Sequence, residues 1–346
     1  MKVLYVFGGI PPYANALLNK LADKGVEVVV VVPPKKSTMI GKGVKVIGRE
    51  VANYRVITSE ERKSLLGKTG FRELPSIIYR EKPDIFVVGW PFFLQYFTQP
   101  ELRKALKETK SKFVMREIPF QVPPYGKLSS FYKENPVYDE DMNLLNKGLF
   151  FHIRQKLVAE IRKYCYSHAD GAVVYSSVGK EILPTYNLSE KSVFVTYNSN
   201  NSEELLRIRQ ELSKEQPLLP QNDHRMIHIG RLVKWKRVDL LMDAFSKVLS
   251  HFPGAELVIV GDGPEMENLK KQAHDLKIGS RVIFTGEIYD NLLIGRYLLA
   301  SSVYVLAGMG GLSINDAMTF SLPVICSVCD GTERDLVYEG SNGFFF

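Results

Sequence analysis

Hydrophobic segments of strand length alternate with amphipathic segments of helix length along the whole chain. The apolar runs are nearly continuous and rich in β-branched residues, which is typical of parallel strands covered on both faces. After the first run, apolar residues at helical spacing predict a helix over Pro12–Lys24, with Gly25 as its C-terminal cap. The alternation therefore predicts right-handed βαβ units. In the first half the predicted strands are Val3–Phe7, Glu27–Val32, Val44–Ile47, Asp84–Gly89, Lys112–Arg116, Gly171–Tyr175 and Val193–Thr196.

The same alternation restarts after residue 224 and predicts a second sheet. A polar stretch, Asn198–Asp223, separates the halves and is a plausible linker, although Glu203–Lys214 could form a helix. The 346 residues are enough for two domains of about 150 residues each. We therefore expect an N-terminal domain at 1–198, a linker at 199–224 and a C-terminal domain at 225–346. The strands predicted in the second half are Met226–Gly230, Glu256–Gly261, Arg281–Thr285, Val303–Leu306 and Pro323–Ser327.

The end of the chain has an unusual pattern. Residues Asn342–Phe346 indicate a turn that leads into a strand, and no closing helix follows. From this pattern we expect the second domain to be incomplete at its end.

Composition and charge narrow the class of protein. Three cysteines cannot form a disulfide framework, so a cytoplasmic setting is expected, and no apolar run approaches a membrane span of about 18 residues. Residues 1–200 hold 30 Lys and Arg against 19 Asp and Glu, whereas residues 201–346 hold 15 against 19. A basic first half favours an anionic partner, although scattered surface lysines that maintain solubility explain it equally well. No nucleic-acid recognition motif is present, so nucleic acid is not an expected partner.

The first candidate site follows the first strand of the second half. That strand ends at Gly230, and two cations, Arg231 and Lys236, stand five residues apart before a helix predicted to begin near Val238. A glycine lets a ligand approach the main chain closely, and paired cations can neutralise a diphosphate. Because basic residues after a strand are common, the pattern alone leaves both a functional and a surface role open.

A glycine-rich turn forms the second candidate site. Three glycines within Gly308–Gly311 follow the strand Val303–Leu306 and lead to a helix for which Ser313 is the predicted cap. Main-chain N–H groups at such a helix start can bind an anion. One turn into the helix, Asp316 could accept hydrogen bonds from ribose hydroxyls. Taken alone, the glycines fit a simple tight turn equally well.

In this order, the segments of the second half resemble the donor-binding domain of the family 4 glycosyltransferases, which have the two-domain GT-B fold. The resemblance is good over residues 226–346 and looser in the first half, where it rests on Gly8-Gly9, His168–Asp170 and Tyr197-Asn198. It implies an α/β protein with two Rossmann-like, doubly wound domains facing a central cleft. The matching segments are Gly230–Val233 with Lys236, Leu257–Pro264, Val282–Gly286, Gly311-Leu312 with Asp316–Met318 and Leu322–Val324, and Asp335–Val337 with Asn342-Gly343.

The resemblance implies transfer of a sugar from a nucleotide-diphosphate donor, with retention of anomeric configuration and without an obligatory metal or other cofactor. Arg231 and Lys236 would hold the diphosphate and stabilise the charge that grows on the departing nucleotide. Gly8 and Gly9 would form a loop that faces the diphosphate across the cleft. The other implied donor-binding residues are Gly230, Glu287, Ile288, Gly310, Gly311, Leu312, Ser313 and Asp316.

The chain departs from the family's Glu-x7-Glu motif at both glutamates. Asp316 takes the place of the second, which binds ribose in the family, and its shorter carboxylate can still do so. Gly308 takes the place of the first, which helps to position the donor sugar. The loss of the first glutamate at Gly308 affects donor identity and catalysis, unless main-chain amides of Gly310–Leu312 compensate.

Four weaker signals have less specific interpretations. Glu117 follows a first-domain strand where many family members keep an acceptor-side His or Asp, and it is either a catalytic residue or a carboxylate paired with Arg116. The acidic run Asp139–Asp141 is interpreted as a solvated turn. The Cys326/Cys329 pair lacks the further ligands that a structural zinc needs, so no metal site is expected. The basic amphipathic segment Leu144–Cys165 could contact a membrane or pack into the core.

These observations favour a cytoplasmic retaining glycosyltransferase, active at the inner face of the cell membrane, that builds a cell-surface polysaccharide or lipid-linked glycan. Its expected partners are a nucleotide-diphosphate sugar and a glycan or lipid-diphosphate acceptor. Two alternatives stay open: a catalytically inactive GT-B partner subunit, for which Gly308 speaks, and a GT-B sugar-nucleotide epimerase.

Overall fold

A computed structural model describes residues 1–34, 39–40, 44–45, 52–63, 69–118, 122–139, 142–145, 148–197, 201–329 and 331–346. The chain divides into two compact units. The N-terminal unit comprises Met1–Val137 and Leu145–Tyr197, and the C-terminal unit comprises Tyr138–Leu144 and Asn198–Phe346.

A parallel sheet forms the centre of the N-terminal unit. Over the described ranges it has seven strands in the order β11-β10-β9-β8-β1-β2-β5, and two short hairpins, β3-β4 and β6-β7, lie outside it. The chain order reverses between β1 and β8, which makes this the switch point of the sheet. The strands are β1 (Lys2–Val6), β2 (Glu27–Val32), β3 (Met39–Ile40), β4 (Val44–Lys45), β5 (Arg55–Thr58), β6 (Glu61–Lys63), β7 (Thr69–Phe71), β8 (Ile85–Gly89), β9 (Lys112–Glu117), β10 (Gly171–Val174) and β11 (Val193–Val195).

Helices cover both faces of this sheet. The alternation of β2 shows this directly, because Val28, Val30 and Val32 pack into one buried cluster whereas Val29 and Val31 pack into another. No described helix is both long enough and apolar enough to cross a membrane. The helices of the unit are α1 (Pro12–Asp23), α2 (Leu74–Glu81), α3 (Leu94–Thr98), α4 (Pro100–Thr109), α5 (Leu128–Glu134), α6 (Leu149–Ser167) and α7 (Gly179–Ile182), with 3-10 turns at Leu183–Tyr186 and Glu190–Ser192.

The strand predicted at Val44–Ile47 is not part of the main sheet. Residues Val44–Lys45 pair with Met39–Ile40 in an antiparallel hairpin, and residues 46 and 47 lie outside the described part. The place beside β2 is taken by β5, whose Arg55 is the partner of Val29. This four-residue edge strand was missed because it alternates weakly and carries polar residues at both ends.

The C-terminal unit is built on a second parallel sheet. In the described residues it has six strands in the order β14-β13-β12-β15-β16-β17, and its chain order reverses between β12 and β15. The five strands predicted after residue 224 all occur in it. The strands are β12 (Arg225–Ile229), β13 (Glu256–Val260), β14 (Val282–Gly286), β15 (Val303–Leu306), β16 (Val324–Cys326) and β17 (Gly343–Phe345).

Much of the segment predicted as a linker is helical and belongs to this unit. Residues Ser202–Leu212 form α8, and Leu205 and Leu212 are buried in a cluster with Phe320 and Leu298. The apolar face of α8 is therefore satisfied by packing rather than left to solvent. The remaining helices are α9 (Val238–Leu249), α10 (Met266–Asp275), α11 (Asn291–Leu299), α12 (Ser313–Thr319) and α13 (Thr332–Leu336), with 3-10 turns at Lys234–Lys236 and Gly279–Arg281.

The turns that leave β12 and β13 approach each other closely. The Gly230 N–H donates to Val260 O at 3.0 Å, and a side chain on Gly261 would overlap the Gly230 carbonyl oxygen. A glycine is therefore required at position 261, where it holds the loop of Gly230 against the sheet.

Gly261→Ala is expected to destabilise the protein by about 3 kcal/mol or more, because the new methyl group must displace main chain rather than a mobile side chain. Gly254→Ala is the matched control, since a Cβ there meets nothing within 4 Å. Urea denaturation of both variants measures the difference in free energy of unfolding. Equal stability of the two variants would contradict the close approach of the loops.

Candidate active site

The two motifs of the second half meet at the switch point of the C-terminal sheet. Strands β12 and β15 are neighbours, with Ile227 paired to Tyr304, so the turns after them leave the same edge side by side. One turn begins at Gly230 and the other at Ala307. Ligands of open α/β sheets bind outside the carboxyl ends of the strands at such a point.

Lys236 joins the two turns. Its Nζ donates to the carbonyl oxygens of Met309 at 2.9 Å and Gly310 at 2.8 Å. Its side chain also passes Gly230, where a Cβ would lie 3.8 Å from the Lys236 Cε atom. The ammonium group is thus fixed at the glycine-rich turn, and a fixed cation can neutralise a ligand anion without the cost of reorganisation.

Gly308 lies in main-chain contact with the opposite turn. The Met309 N–H donates to Trp235 O at 2.9 Å, and a Cβ on Gly308 would overlap that oxygen and lie 2.7 Å from Lys236 O. No side chain fits at this position without a shift of the main chain. At Gly308, where the family that the sequence resembles has its first glutamate, a close main-chain contact therefore excludes a side chain.

A buried histidine lies beneath the Gly230 turn. His228 is fully buried, and its Nδ1–H donates to Val305 O at 3.0 Å, which leaves the unprotonated Nε2 without a hydrogen-bond partner among the described residues. A Cβ on Gly230 would lie 3.4 Å from Nε2. Burial, reinforced by the charge of Lys236 and opposed by the Val305 carbonyl, lowers the pKa of His228 to about 4. The imidazole is thus a neutral group beside the cation.

Arg231 is exposed at the start of the first turn. Its Cζ atom lies 5.7 Å from the ring centroid of Trp235, at cation–π distance. Stacking on the indole limits the freedom of the guanidinium, while its exposure leaves it accessible to a ligand. The sequence therefore correctly identified a cationic turn, and the structure adds the aromatic side chain that orients one of its cations.

Ser313 is not the helix cap that its position suggested. Leu312 occupies the cap position without a side-chain bond, and Ser313 is the first residue of α12. The Ser313 hydroxyl instead lies 2.6 Å from the Tyr304 hydroxyl, whose pKa is raised by burial. Asp316 is half-buried one turn further along α12.

Glu287 and Ile288 follow β14 at the same edge, two strands away from β12. Glu287 is exposed and accepts a hydrogen bond from the Tyr289 hydroxyl. Ile288 is half-buried and packs against the C-terminal core. The structure thus brings Gly230, Lys236, Gly310 and Gly311 together directly. Arg231 follows Gly230 in the chain and lies against Trp235, and Leu312, Ser313 and Asp316 lie at the adjoining helix start.

The other predicted residues belong to the N-terminal unit. Gly8 and Gly9 form the turn after β1, and a Cβ on Gly8 would lie 3.5 Å from the Phe92 ring. This turn stands at the switch point of the N-terminal sheet, beside the end of β8. Its position is that of a ligand-binding turn of a doubly wound sheet.

Glu117 is buried, and its partner is not Arg116. Its Oε2 accepts hydrogen bonds from Arg162 Nε at 3.1 Å and from the Tyr166 hydroxyl at 3.4 Å. Arg116 instead places its guanidinium 5.5 Å from the Phe7 ring centroid. The Arg116 pair, one of the two roles that the sequence offered for Glu117, is therefore replaced by a buried ion pair with Arg162.

Sequence reasoning missed three residues at these two edges: His228, Trp90 and Arg162. Arg162 belongs to the basic amphipathic segment Leu144–Cys165, where it falls four residues from the apolar Val158 and one from Ile161 on the inner face of the helix. His228 interrupts an otherwise apolar buried strand, and Trp90 follows directly on the apolar strand β8. A polar or aromatic residue at the carboxyl end of a buried strand was the available signal.

The His, Cys, Asp and Glu side chains in the described part of the chain do not cluster as metal ligands. No group of three or more His, Cys, Asp or Glu within the described ranges is arranged to hold a metal ion. Cys326 is buried in β16, and Cys329 Sγ lies 3.5 Å from Glu333 Oε2. Of the acidic run, Glu140 and Asp141 lie outside the described residues.

The lowered pKa of His228 predicts that the free energy of unfolding decreases as the pH is lowered from 6.5 towards 4. The unfolded imidazole takes up a proton near pH 6.5 and the folded one only near pH 4. Between these values the unfolded state binds more protons, so acidification favours it, by up to about 3 kcal/mol at pH 4.

Urea denaturation at pH 7 and pH 4.5 measures this loss, which should be smaller in His228→Gln. The matched control is His274→Gln, because that side chain is 91% exposed. If His228→Gln loses as much stability on acidification as the wild-type protein, the assignment is wrong.

The C-terminal unit matches a known family of domains. Residues 209–346 match the family model described as Glycosyl transferases group 1. Alpha-monoglucosyldiacylglycerol synthase of Streptococcus pneumoniae is 25% identical over 224 residues, which are 63% of this chain and 50% of that protein. The present chain therefore spans about half the length of that relative.

Solved glycosyltransferase structures resemble the chain over its full length. The lipopolysaccharide outer core galactosyltransferase WaaB, in its apo form, has a TM-score of 0.63 at 17% identity and covers 100% of this chain and 86% of its own. HepE of Anabaena, in complex with UDP, has a TM-score of 0.62 at 16% identity, with coverages of 100% and 85%. At these identities the likeness establishes the fold. The prediction of two Rossmann-like domains is thus confirmed: the chain has the GT-B fold, and its residues 209–346 are similar to the Glycosyl transferases group 1 family.

Proposed function

We propose that this protein is a retaining glycosyltransferase of the family 4 type that moves a sugar from a nucleotide-diphosphate donor to a glycan or lipid-linked acceptor. The observation that carries the proposal is the ammonium of Lys236, fixed on the glycine-rich turn at the switch point of the C-terminal sheet. Arg231 lies on the adjoining turn, oriented by Trp235. Two cations at the ligand-binding edge of a glycosyltransferase domain suit a diphosphate.

The chemistry of the transfer explains why these cations matter. The bond between the sugar anomeric carbon and the diphosphate oxygen breaks, and the electron pair remains on the departing nucleoside diphosphate. The acceptor hydroxyl oxygen forms the new bond to the anomeric carbon, and its proton passes to the departing phosphate oxygen. Lys236 and Arg231 stabilise that growing negative charge, so the proposed reaction needs no metal or other cofactor. Asp316 binds the ribose hydroxyls of the donor, and the main chain at Gly310 and Gly311 lies against the phosphates.

The acceptor in this proposal is lipid-linked or membrane-bound. One relative is named for the synthesis of a glucosyl diacylglycerol, and the first half of α6 presents an apolar stripe to solvent. Leu149, Phe150, Ile153 and Leu157 are 73%, 89%, 56% and 46% exposed. The sequence left open whether this segment packs into the core, and these four side chains do not. Exposed apolar residues beside cations are typical of a helix that lies in a membrane interface.

Arg154 and Lys156 are exposed on the same two turns of α6, and residues 1–200 carry an excess of 11 positive charges. Anionic lipid headgroups would attract both features. We therefore place the protein at the inner face of the cell membrane, in the synthesis of a cell-surface polysaccharide or glycolipid.

Gly308 supports a second candidate function, that of a GT-B partner subunit without activity of its own. Because no side chain fits at this position, the carboxylate that the family places there cannot be supplied without moving the main chain of Trp235 and Lys236. A GT-B partner subunit without activity of its own would bind a nucleotide and transfer nothing. Turnover by the isolated protein distinguishes the two functions.

Lys236→Ala and Arg231→Ala are each expected to reduce turnover at least about 10²-fold, because each removes a charge that stabilises the leaving diphosphate. Lys247→Ala, an exposed lysine on α9 of the same unit, is the matched control and should leave turnover unchanged. A panel of UDP, GDP, ADP and CMP sugars identifies the donor, after a thermal-shift screen with the free nucleotides.

Several outcomes would count against the proposal. If no nucleotide sugar is either hydrolysed or bound, the proposal is refuted outright. Nucleotide binding without turnover, or turnover only with a second protein, favours the partner subunit. NMR analysis of the product distinguishes retention from inversion at the anomeric carbon, and it identifies a sugar-nucleotide epimerase by an altered donor.

Sedimentation with vesicles tests the membrane contact. Binding to vesicles of phosphatidylglycerol and phosphatidylcholine should weaken about tenfold or more in Phe150→Asp and Ile153→Asp, since each places a charge in the apolar stripe. Leu17→Asp is the control, because Leu17 is 52% exposed on another helix of the same unit. Equal loss in the control variant, or binding that ignores the anionic lipid fraction, contradicts the assignment.

A further inference from the structure

The carboxyl edge of the N-terminal sheet carries an exposed tryptophan that the donor site does not use. Trp90 directly follows β8, which lies between β1 and β9 at the switch point, and its side chain is 41% exposed. Most of the surrounding strand residues are fully buried. A large apolar ring that stays accessible at the ligand-binding edge of a doubly wound sheet is a candidate contact for a substrate.

The indole is supported from inside the protein by a charged group. Arg162 is 7% exposed, and its Cζ atom lies 5.7 Å from the Trp90 ring centroid and 5.5 Å from that of Phe93. Both distances permit cation–π attraction, which is stronger for a cation removed from water. Trp90 and Phe93 also contact each other, with ring centroids 5.7 Å apart.

Glu117 keeps this buried cation in place. Its Oε2 accepts the Arg162 Nε–H at 3.1 Å and the Tyr166 hydroxyl at 3.4 Å. A buried guanidinium without a counter-ion would be strongly destabilising, so the carboxylate is needed for the cation to remain under the indole. Glu117, Arg162 and Trp90 thus form a connected series from the core to the surface.

We propose that Trp90 is the platform on which the sugar ring of a glycosylated acceptor stacks, and that Glu117 and Arg162 are positioning residues that hold its indole. This inference rests on the proposed glycosyl transfer. Apart from the Gly8-Gly9 turn, the residues assigned to the nucleotide and diphosphate belong to the C-terminal unit, which leaves the remaining edge of the N-terminal sheet for the second substrate. A pyranose presents a face of C–H groups that suits an indole face, whereas a bare glycerol or diacylglycerol does not.

Fluorescence tests the stacking directly, because the sequence has two tryptophans and Trp235→Phe leaves Trp90 as the only one. Titration with methyl glycosides of glucose, galactose, mannose and N-acetylglucosamine should give a saturable change in Trp90 emission for at least one of them. Sorbitol, an open-chain polyol without a ring face, is the control ligand and should give none.

The kinetic test uses the glycoside with the largest response as acceptor. Trp90→Ala should raise the acceptor KM about tenfold and leave the donor KM unchanged, whereas Trp90→Phe should stay within about threefold of wild type. Phe97→Ala is the matched control, since Phe97 is another exposed aromatic side chain of the same unit. Glu117→Gln should shift Trp90 emission and raise the acceptor KM without raising the donor KM.

Several results would overturn the platform. One is an emission that sorbitol changes as much as the glycosides do, or that none of the glycosides changes. Another is an emission that responds only to phosphatidylglycerol vesicles, which would make Trp90 a membrane contact. An acceptor KM equal in Trp90→Ala and Phe97→Ala has the same consequence. Loss of nucleotide binding alone refutes the proposed function and not the platform, because the fluorescence titration contains no nucleotide.

Discussion

The main chain of Trp235 and Lys236 lies against Gly308, and the Lys236 ammonium lies on the carbonyl oxygens of the next two residues. These contacts fix the two turns of the C-terminal edge to each other. They depend on positions where any side chain would intrude, Gly261 on one side and Gly308 on the other. The candidate donor site is consequently formed by main-chain atoms around Lys236, and its shape depends on the absence of side chains at Gly261 and Gly308.

The second feature of this site is an uncharged histidine next to the Lys236 cation. His228 is buried beside Lys236, and its lowered pKa keeps it uncharged at neutral pH. A protonated imidazole there would repel the ammonium and would have no solvent to disperse its charge. The arrangement leaves the positive charge of the edge on Lys236 and Arg231, which lie on the turns where a ligand has access.

In the N-terminal unit a charged group, the Arg162 guanidinium, is buried and needs a counter-ion. Arg162 is removed from water beneath Trp90, and Glu117, which also accepts a hydrogen bond from the Tyr166 hydroxyl, supplies the counter-ion that makes this tolerable. Replacing such a pair by apolar residues often costs little stability, so its retention is best explained by what it orients. In this protein the oriented group is an exposed indole at the switch point of the sheet.

The sequence alone determined the alternation of strands and helices, and with it two parallel sheets and the turns at their carboxyl edges. It could do so because continuous β-branched runs and helical spacing are local properties. Gly230, Arg231, Lys236 and the glycines after β15 were found for the same reason, since each follows directly on a strand. The hairpin at Val44–Lys45 and the helix at Ser202–Leu212 were less certain, because short or polar segments depend on what they pack against.

Only the tertiary structure decided which side chains are covered. The apolar stripe of α6 and the buried Arg162 lie on one helix with similar local patterns, yet the first is exposed and the second is enclosed. Glu117 likewise has an arginine next to it in sequence but pairs with one 45 residues away. Burial and pairing are set by the neighbouring elements that fold against a segment, and a one-dimensional pattern does not contain that information.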